Sequence, residues 1–413
     1  MASALRAVDL VDVVVVGAGP AGFMAAITAA RRGRRTVLLE KNERPGLKIL
    51  ISGGGRCNLT TTRSGSDLES QYGVRRGRFL RHALRSFQPA ALREFIEAAG
   101  VLLREEDLEK LFPVSQRARD VVDALVRMSI DAGVGLRTRA AVRTVERAGE
   151  RFVVHGAGGA LAAASVVLAT GGLSYPKTGA TGDGYPICRA FGHTVTATFP
   201  ALAPLAVDTP WVRDLQGIVV TGPTITAIAA NGEVLLERRR PILFTHKGLS
   251  GPAPMDLAGD VEEQRGRAAV RFDFAPEFAR DELEQEWLRA AAQHGARGAA
   301  SLLPAGLPER LRDALLAIAG ADTTLASLSR DARRRLLEAV KNTRVPVARS
   351  LGFDHAEVTR GGVALDEIDP RTMQSRRQPG LFVCGELLDV DGPIGGFNFQ
   401  AAFATGRLAG LHA

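Results

Sequence analysis

Three glycines carry the first chemical signal in this chain. The run Val13-Val14-Val15-Val16 passes directly into Gly17-Ala18-Gly19-Pro20-Ala21-Gly22, a β-branched strand that turns into a helix with the spacing G-x-G-x-x-G. Gly17 permits the tight turn, Gly19 lets the backbone approach a pyrophosphate, and Gly22 lets helix and strand pack closely. The helix N-terminus adds unpaired N–H groups and the positive end of its dipole. Thr36-Val37-Leu38-Leu39-Glu40 reads as the next strand, and Glu40 falls 18 residues after Gly22. A carboxylate there accepts a hydrogen bond from a ribose 2′-hydroxyl and repels a 2′-phosphate. Lys41, next to it, joins the candidate cofactor contacts.

Four further segments could touch the same ligand. Lys48 precedes Ser52-Gly53-Gly54-Gly55-Arg56-Cys57-Asn58, where three consecutive glycines predict a loop able to lie against a planar or phosphorylated group. Ser165 to Ala169 reads as a buried strand ending in Thr170-Gly171-Gly172, and Asp183 follows in Thr181-Gly182-Asp183-Gly184. Near the C-terminus, Gly385-Glu386 closes a strand, and Gly395-Gly396-Phe397-Asn398 opens a final helix over about residues 398–411. A positive helix end at that point would stabilise negative charge at N1 and O2 of a reduced flavin. Val142, on a strand candidate, completes the set.

Candidates for catalysis are fewer. Arg56 is the one cation in its glycine loop, and its planar guanidinium suits an anionic partner. Cys57, beside it, is a candidate acid whose thiol pKa the neighbouring charge would lower. His246, in Thr245-His246-Lys247-Gly248, is a candidate proton donor. No Ser-His-Asp set, paired carboxylates or metal-ligand spacing stands out.

The chain has 413 residues, 46% hydrophobic and 24% charged, a composition of globular proteins. No apolar run approaches the ~18 residues of a membrane span, and residues 1–10 hold no apolar segment of a signal peptide. Cys57, Cys188 and Cys384 form no C-x-x-C, which argues against a dithiol pair or a zinc site and fits a reducing cytoplasm. The formal net charge is +8, and 47 of the 53 basic residues are Arg. Clusters at 31–35, 75–81, 238–240 and 333–335 would favour a polyanion such as RNA if they lay free on one face.

The elements that must position these residues can be read in order. A helix over about 20–32 follows the fingerprint. Residues 79–100 and 118–132 carry helical apolar spacing, and Leu136 to Val154 reads as two strands. Residues 199–275 change to short β-like segments between Pro and Gly turns. Residues 276–341 change again to a Leu-, Ala-, Arg- and Glu-rich helical pattern, and strands return at Glu357-Val358-Thr359 and Leu381 to Cys384. The fold class expected is α/β: a Rossmann-like FAD-binding domain with an inserted β-barrel, or a small sandwich in its place, and a nested helical subdomain. Its discontinuous FAD domain spans 1–198 and 350–413, the barrel insert 199–275 and 342–349, and the helical part 276–341.

Gly46 to Asn58, Leu243 to Ala253, Val358-Thr359-Arg360-Gly361-Gly362-Val363, Gly385 to Gly392 and Gly395 to Gln400 resemble motifs of the BaiN/YhiN-like FAD-dependent oxidoreductases, over essentially the whole chain. The resemblance implies tightly held FAD and the same three-part architecture. It implies reduction of activated carbon–carbon double bonds, in steroid-like enones or in a ribosomal RNA uridine, with NAD(P)H as donor for some members; others resemble aminoacetone oxidases. The expectation is therefore a flavoprotein oxidoreductase that takes hydride from a transiently bound NAD(P)H and reduces an activated double bond in a small molecule. The alternatives are dihydrouridine formation in ribosomal RNA, amine oxidation, and a non-catalytic flavoprotein that docks on RNA.

Overall fold

The computed structural model describes residues 9–413, which form two compact units, one of residues up to Phe199 plus Glu357–Ala413 and one of Pro200–Ala356. The first unit is built on a seven-stranded sheet. Strand β1 (Asp9–Val16) lies at its middle, with β2 (Thr36–Leu39) on one side and Gly159–Leu168 on the other, both parallel to it. Gly135–Arg137 extends the sheet beyond β2, again parallel. Gly159–Leu168 serves two partners on its outer side. Residues 159–163 pair antiparallel with Arg151–Gly156, and Val166, Val167 and Leu168 pair parallel with Leu381–Val383. The C-terminal segment therefore completes a sheet begun at the N-terminus. The region read as two strands is three, Gly135–Arg137, Val142–Ala148 and Arg151–Gly156.

Helix α1 (Pro20–Arg31) follows the fingerprint, with Gly19 at its N-cap and Pro20 in its first turn, where the missing N–H costs nothing. Phe23, Met24, Ala25, Ala26, Ile27 and Ala29 are all buried, so α1 is covered on nearly every side. Part of that cover is the C-terminal helix Phe397–His412. A Cβ added at Gly406 would lie 2.2 Å from Ala21 O, and one at Gly410 would lie 2.3 Å from Ala25 O. Both pairs advance in the same direction, so the helices run parallel with their backbones in contact. The Arg32 guanidinium donates to Gly410 O and Ala413 O and caps the far end of the pair.

The second unit holds two open antiparallel sheets. One has five strands in the order Val219–Val220, Ile242–Thr245, Gly248–Ser250, Leu205–Ala206, Arg349–Ser350; the other has four, Val234–Arg238, Thr224–Ile228, Ala268–Asp273, Thr343–Val347. Among the described residues no pairing closes either sheet into a barrel. The helices Arg280–Gln293, Glu309–Ala319 and Arg330–Asn342 occupy the span read as helical. Their Leu283, Trp287, Leu315 and Leu336 share one core with Phe244 and Phe272 of the sheets. The helices are therefore not packed as an independent bundle: amphipathic helices need an apolar partner, and here it is the sheet.

In the first unit a buried cluster fixes the segment that leads into Leu381–Val383. Glu367 Oε2 accepts from Thr194 N at 2.9 Å and meets His193 Nδ1 at 3.0 Å, and Glu367 Oε1 accepts from Arg377 at 2.5 Å. Hydrogen bonding from Arg377, helped by Thr194 and His193, outweighs burial and holds the Glu367 carboxyl at about 2. Burial lowers the His193 pKa, so the neutral ring is favoured.

Two outcomes follow from these contacts. Gly406→Ala should lower stability by about 1–3 kcal/mol or prevent folding, because the helices must separate, whereas Gly158→Ala, with nothing within 4 Å of the added carbon, should be neutral in thermal unfolding. Glu367→Gln should lower stability by about 1–3 kcal/mol at pH 7. A depressed carboxyl pKa stabilises the fold fully above its ordinary value and loses that contribution as pH falls through the folded value. The difference between wild type and variant should therefore shrink between pH 4.5 and pH 2 in melting curves.

Candidate functional site: a dinucleotide cradle in the first unit

The three fingerprint glycines do three different jobs. Gly17 has φ +101°, and a Cβ there would stand 2.6 Å from Ala169 O on the neighbouring strand's exit. At Gly22 the added carbon would overlap Gly17 O at 1.7 Å. Gly19 is different: its backbone is extended, and nothing lies within 4 Å of an added Cβ. Glycine at 17 and 22 is thus demanded by the protein itself, while the space at 19 is left for something the chain does not supply. The first turn of α1 has no acidic residue and no side-chain cap, so its amides face that space unclaimed by a side chain.

Glu40 ends β2 as expected and is buried. Its Oε2 accepts from Ala18 N at 3.0 Å, and its Oε1 accepts from Asn42 N and Asn42 Nδ2, both at 2.8 Å. A carboxylate has about four acceptor positions, so the three bonds fix its orientation and leave room for a ligand hydroxyl. Asn42 was not among the residues singled out from the sequence, and no spacing rule marks it. Val142 begins its strand half-buried.

At the other end of the cradle the C-terminal helix presents its N-terminus, with Gly396 at the N-cap, no acid in the first turn and no side-chain cap. Because Gly406 is level with Ala21, Phe397 lies about 12 Å further along the shared axis than Pro20 at the start of α1, at ~1.5 Å per residue. Two positive helix ends thus point the same way, offset along one line. Gly396 must be glycine for a local reason as well, since a Cβ there would meet Thr60 O at 2.4 Å. Asn58, with its amide oriented to match its neighbours, accepts from Gly396 N at 3.0 Å and donates to Thr60 O at 3.2 Å. Asn398 bonds both backbone groups of Gly392 at 2.9 Å, and Phe397 is buried edge-on against Tyr72. Both side chains therefore shape the cradle rather than face it, and Gly395, at φ +140°, makes the turn that lets Phe397 pack.

Between the two ends, Lys48 and Glu386 form an ion pair at 2.5 Å with about a fifth of each side chain exposed. Lys48 also donates to Ser174 Oγ at 2.5 Å, and Glu386 Oε1 accepts from Ser174 Oγ at 2.8 Å and Thr359 N at 2.9 Å. This network ties four separated segments together. Lys41 and Asp183 likewise engage each other, at 2.5 Å. Both pairs were read as cofactor contacts; their charges are directed at one another.

The glycine-rich loop departs from its reading in part. Helix α2 (Leu47–Gly55) is assigned across it, but Gly53 and Gly54 have φ +56° and +69°, and Ser52 is extended with its Oγ bonded to Ile49 O. The backbone at Gly54 faces open space, and Gly55, at φ +83°, has only Leu50 O near the limit of contact. Arg56 is engaged by the chain's own groups. It donates to Glu106 and Gln116, each at 2.9 Å, and stacks 4.2 Å from the Phe112 ring centre. Cys57 is fully buried, and burial pushes its thiol up to about 12, the opposite of the lowering expected from Arg56. His246 sits in an exposed turn of the second unit, between Ile242–Thr245 and Gly248–Ser250.

FAD fits this arrangement on observations internal to the chain. The space at Gly19 is open, Gly171 (φ +75°) and Gly54 also face open space, and the buried Thr170 Oγ1 and Tyr185 Oη have no hydrogen-bond partner. Gly172 is closed instead, since a Cβ there would stand 2.4 Å from Thr359 Oγ1, and one at Gly385 would stand 2.8 Å from the Ala21 Cβ. Buried polar groups without partners are costly unless a ligand meets them.

The fold and cradle define a Rossmann-type flavoprotein oxidoreductase. Residues 11–412 match the family model described as "HI0933-like protein Rossmann domain", and the chain belongs to that family of FAD-dependent oxidoreductases. It is 33% identical over 399 residues to a ribosomal RNA dihydrouridine synthase of Escherichia coli, covering 95% of this chain and 96% of the relative. It is 31% identical over 403 residues to a 3-dehydro-bile acid delta(4,6)-reductase of Clostridium scindens, covering 96% and 97%. The solved 3-ketosteroid delta1-dehydrogenase of Sterolibacterium denitrificans shares the fold, with a TM-score of 0.52 and 15% identity over 98% of this chain and 99% of that one.

The two kinds of glycine can be separated by experiment. Gly19→Val should leave the stability of the flavin-free protein within about 0.5 kcal/mol of wild type, yet abolish flavin retention, read as the ratio of flavin to protein absorbance. Gly22→Val should lose the fold itself. Arg56→Ala should now lower thermal stability, with the rate of flavin reduction changed less than tenfold (about 1.4 kcal/mol).

Proposed function

We propose that this protein uses bound FAD to reduce a carbon–carbon double bond conjugated to a carbonyl group in a small molecule, with NAD(P)H as the electron donor. The observation that carries the reading is the pair of parallel helix N-termini, one at the diphosphate position and one displaced toward the redox end of an extended cofactor. When bound, FAD supplies the hydride chemistry. The chain's part is to bind and to bias. The α1 amides around Gly19 hold the pyrophosphate, and Glu40 accepts from the ribose. The Lys48–Glu386–Ser174 network holds the Gly385 turn in register. The amides of Phe397, Asn398 and Phe399, at an uncapped helix end, would hold the ring end of the cofactor and favour negative charge there.

The acceptor class is supported by the names of the relatives. A dihydrouridine product and a delta(4,6) bile-acid substrate share one chemical step, addition of two hydrogens to a double bond beside a carbonyl. The small-molecule substrate is supported by the state of the arginines. Arg238 and Arg240 bond the buried Asp256 and Arg239 pairs with Glu277; Arg75 and Arg76 pair with Asp389; Arg81 and Arg85 share Glu69. Much of the basic clustering is thus matched by the chain's own acids. A second reading, reduction of a uridine in ribosomal RNA, is favoured by the net charge of +8 and by the Escherichia coli relative.

The test is anaerobic. NADH or NADPH should bleach the flavin absorbance, and a steroid 4-en-3-one should restore it with formation of the saturated ketone. Restoration by uridine-containing ribosomal RNA fragments alone would replace the first reading with the second. Bleaching by an amine, with no response to any enone or RNA, would overturn both.

A further inference from the structure

Segment 172–184 leaves the end of the strand Gly159–Leu168 and comes back to it. Gly182 N donates to Gly172 O at 3.1 Å, and a Cβ at Gly184 would stand 2.2 Å from Thr170 Oγ1. The excursion is a closed surface loop with one short turn, Pro176–Thr178, and left-handed backbone at Tyr175, Gly179 and Gly182. Three residues that follow β2 pin it. Lys48 reaches Ser174 Oγ at 2.5 Å, Asn42 Nδ2 reaches Thr178 O at 3.1 Å, and Lys41 reaches Thr181 Oγ1 at 2.6 Å and Asp183 Oδ2 at 2.5 Å. The same Asn42 amide donates to Glu40 Oε1, so the loop is tied by one intermediate group to the carboxylate that faces the ribose.

The pins are not equal. Lys48 and Glu386 are largely enclosed, whereas Lys41 keeps 27% and Asp183 43% of its side chain exposed. Water and salt screen the second pair far more than the first. The side-chain pins are therefore firmer at the Ser174 end and weaker at the Thr181–Asp183 end, where the Gly182 N–Gly172 O bond supplies the rest of the closure. Burial works against ionisation of Asp183, but its bonds from Lys41 and Thr181 prevail and hold the carboxyl below its ordinary value, so Asp183 is ionised at neutral pH.

We propose that segment 172–184 is a strap over the adenosine end of the bound FAD, that the Lys41–Asp183 pair is its latch, and that FAD leaves only when the latch end lifts. The inference rests on the FAD reading. It explains why two side chains beside the ribose carboxylate bind the chain's own loop instead of the ligand.

The experiment uses holoprotein as purified, diluted into buffer, with free FAD fluorescence followed over time. Wild-type release should accelerate as salt rises from about 0.05 to 0.5 M, because the exposed pair is screened. Asp183→Asn should release FAD about threefold to fivefold faster, the scale of one exposed ion pair, and should lose the salt response. The charge-swapped double variant Lys41→Asp with Asp183→Lys should recover slow, salt-sensitive release, which a merely structural role would not. Amide exchange over 176–183 should quicken in Asp183→Asn. If that variant does not fold, Lys41→Gln reads the same latch from the other side. Release at the wild-type rate in folded Asp183→Asn or Lys41→Gln overturns the strap while leaving FAD binding intact. Wild-type protein that holds no FAD overturns the cofactor reading, and the strap with it.

Discussion

The contact between α1 and the C-terminal helix governs the rest of the first unit. Gly406 and Gly410 bring one backbone against the carbonyls of Ala21 and Ala25, closer than any side chain would allow. Such proximity does two things at once. It buries α1 between the sheet and the C-terminal helix, and the C-terminal helix between α1 and its helical neighbours, which is why neither shows a strongly polar face. It also locks their axial offset, because a slide by one residue would drive a neighbouring side chain into the carbonyl. The offset in turn fixes where two positive helix ends stand relative to each other. A long ligand with a diphosphate at one place and an electron-accepting ring at another needs that spacing to be rigid. The geometry of binding is thus set by packing some distance from the ligand itself.

Parallel pairing of Leu381–Val383 with Val166, Val167 and Leu168 delivers the C-terminal helix to that position. The last stretch of the chain is a structural part of a sheet centred on β1 and β2 near the other end of the sequence. Glu386, just beyond this strand, then meets Lys48 from the α2 region and Thr359 from the segment between. A buried ion pair is a weak source of stability, since desolvating the two charges offsets their attraction. Its value here is in register. It accepts only one relative placement of four segments that come from distant parts of the sequence.

Much of this was legible from the residues, and the reason is local chemistry. Gly17, Gly22 and Gly396 answer to backbone constraints that other residues cannot meet, so the glycine spacing carries the fold directly. Helices at 118–131 and 280–342 showed because their apolar faces repeat with the helical period. Charged side chains were harder to read. Arg56 beside Cys57 in a glycine loop suggests a poised thiolate, yet the guanidinium turns away to Glu106, Gln116 and Phe112, and the thiol lies in the core. Lys41 and Asp183 lie 142 residues apart and Lys48 and Glu386 338 apart. Nothing in local sequence tells a residue that its partner is another side chain instead of a ligand. Asn42 escaped notice for the same reason, since its role exists only through Glu40 and Thr178.

The same distinction bears on the arginines. A sequence rich in Arg suggests a polyanion partner, but a charge is available to a partner only if the fold has not already used it. The triplet Arg238-Arg239-Arg240 alternates along one strand and its exit, and its members bond Asp256 and Glu277. Asp256 is fully buried, so separating it from its arginines would leave an uncompensated charge in the core, which is costly. RNA could not recruit those two guanidiniums without paying that penalty. Arg81 and Arg85 are exposed, but the Glu69 they share is itself buried, so drawing both away would carry the same kind of penalty. A polyanion would therefore be met at least cost by an exposed guanidinium that neutralises no buried acid, such as Arg78 of the helix Gly73–Ser86, and not by the basic triplet that the sequence makes most conspicuous.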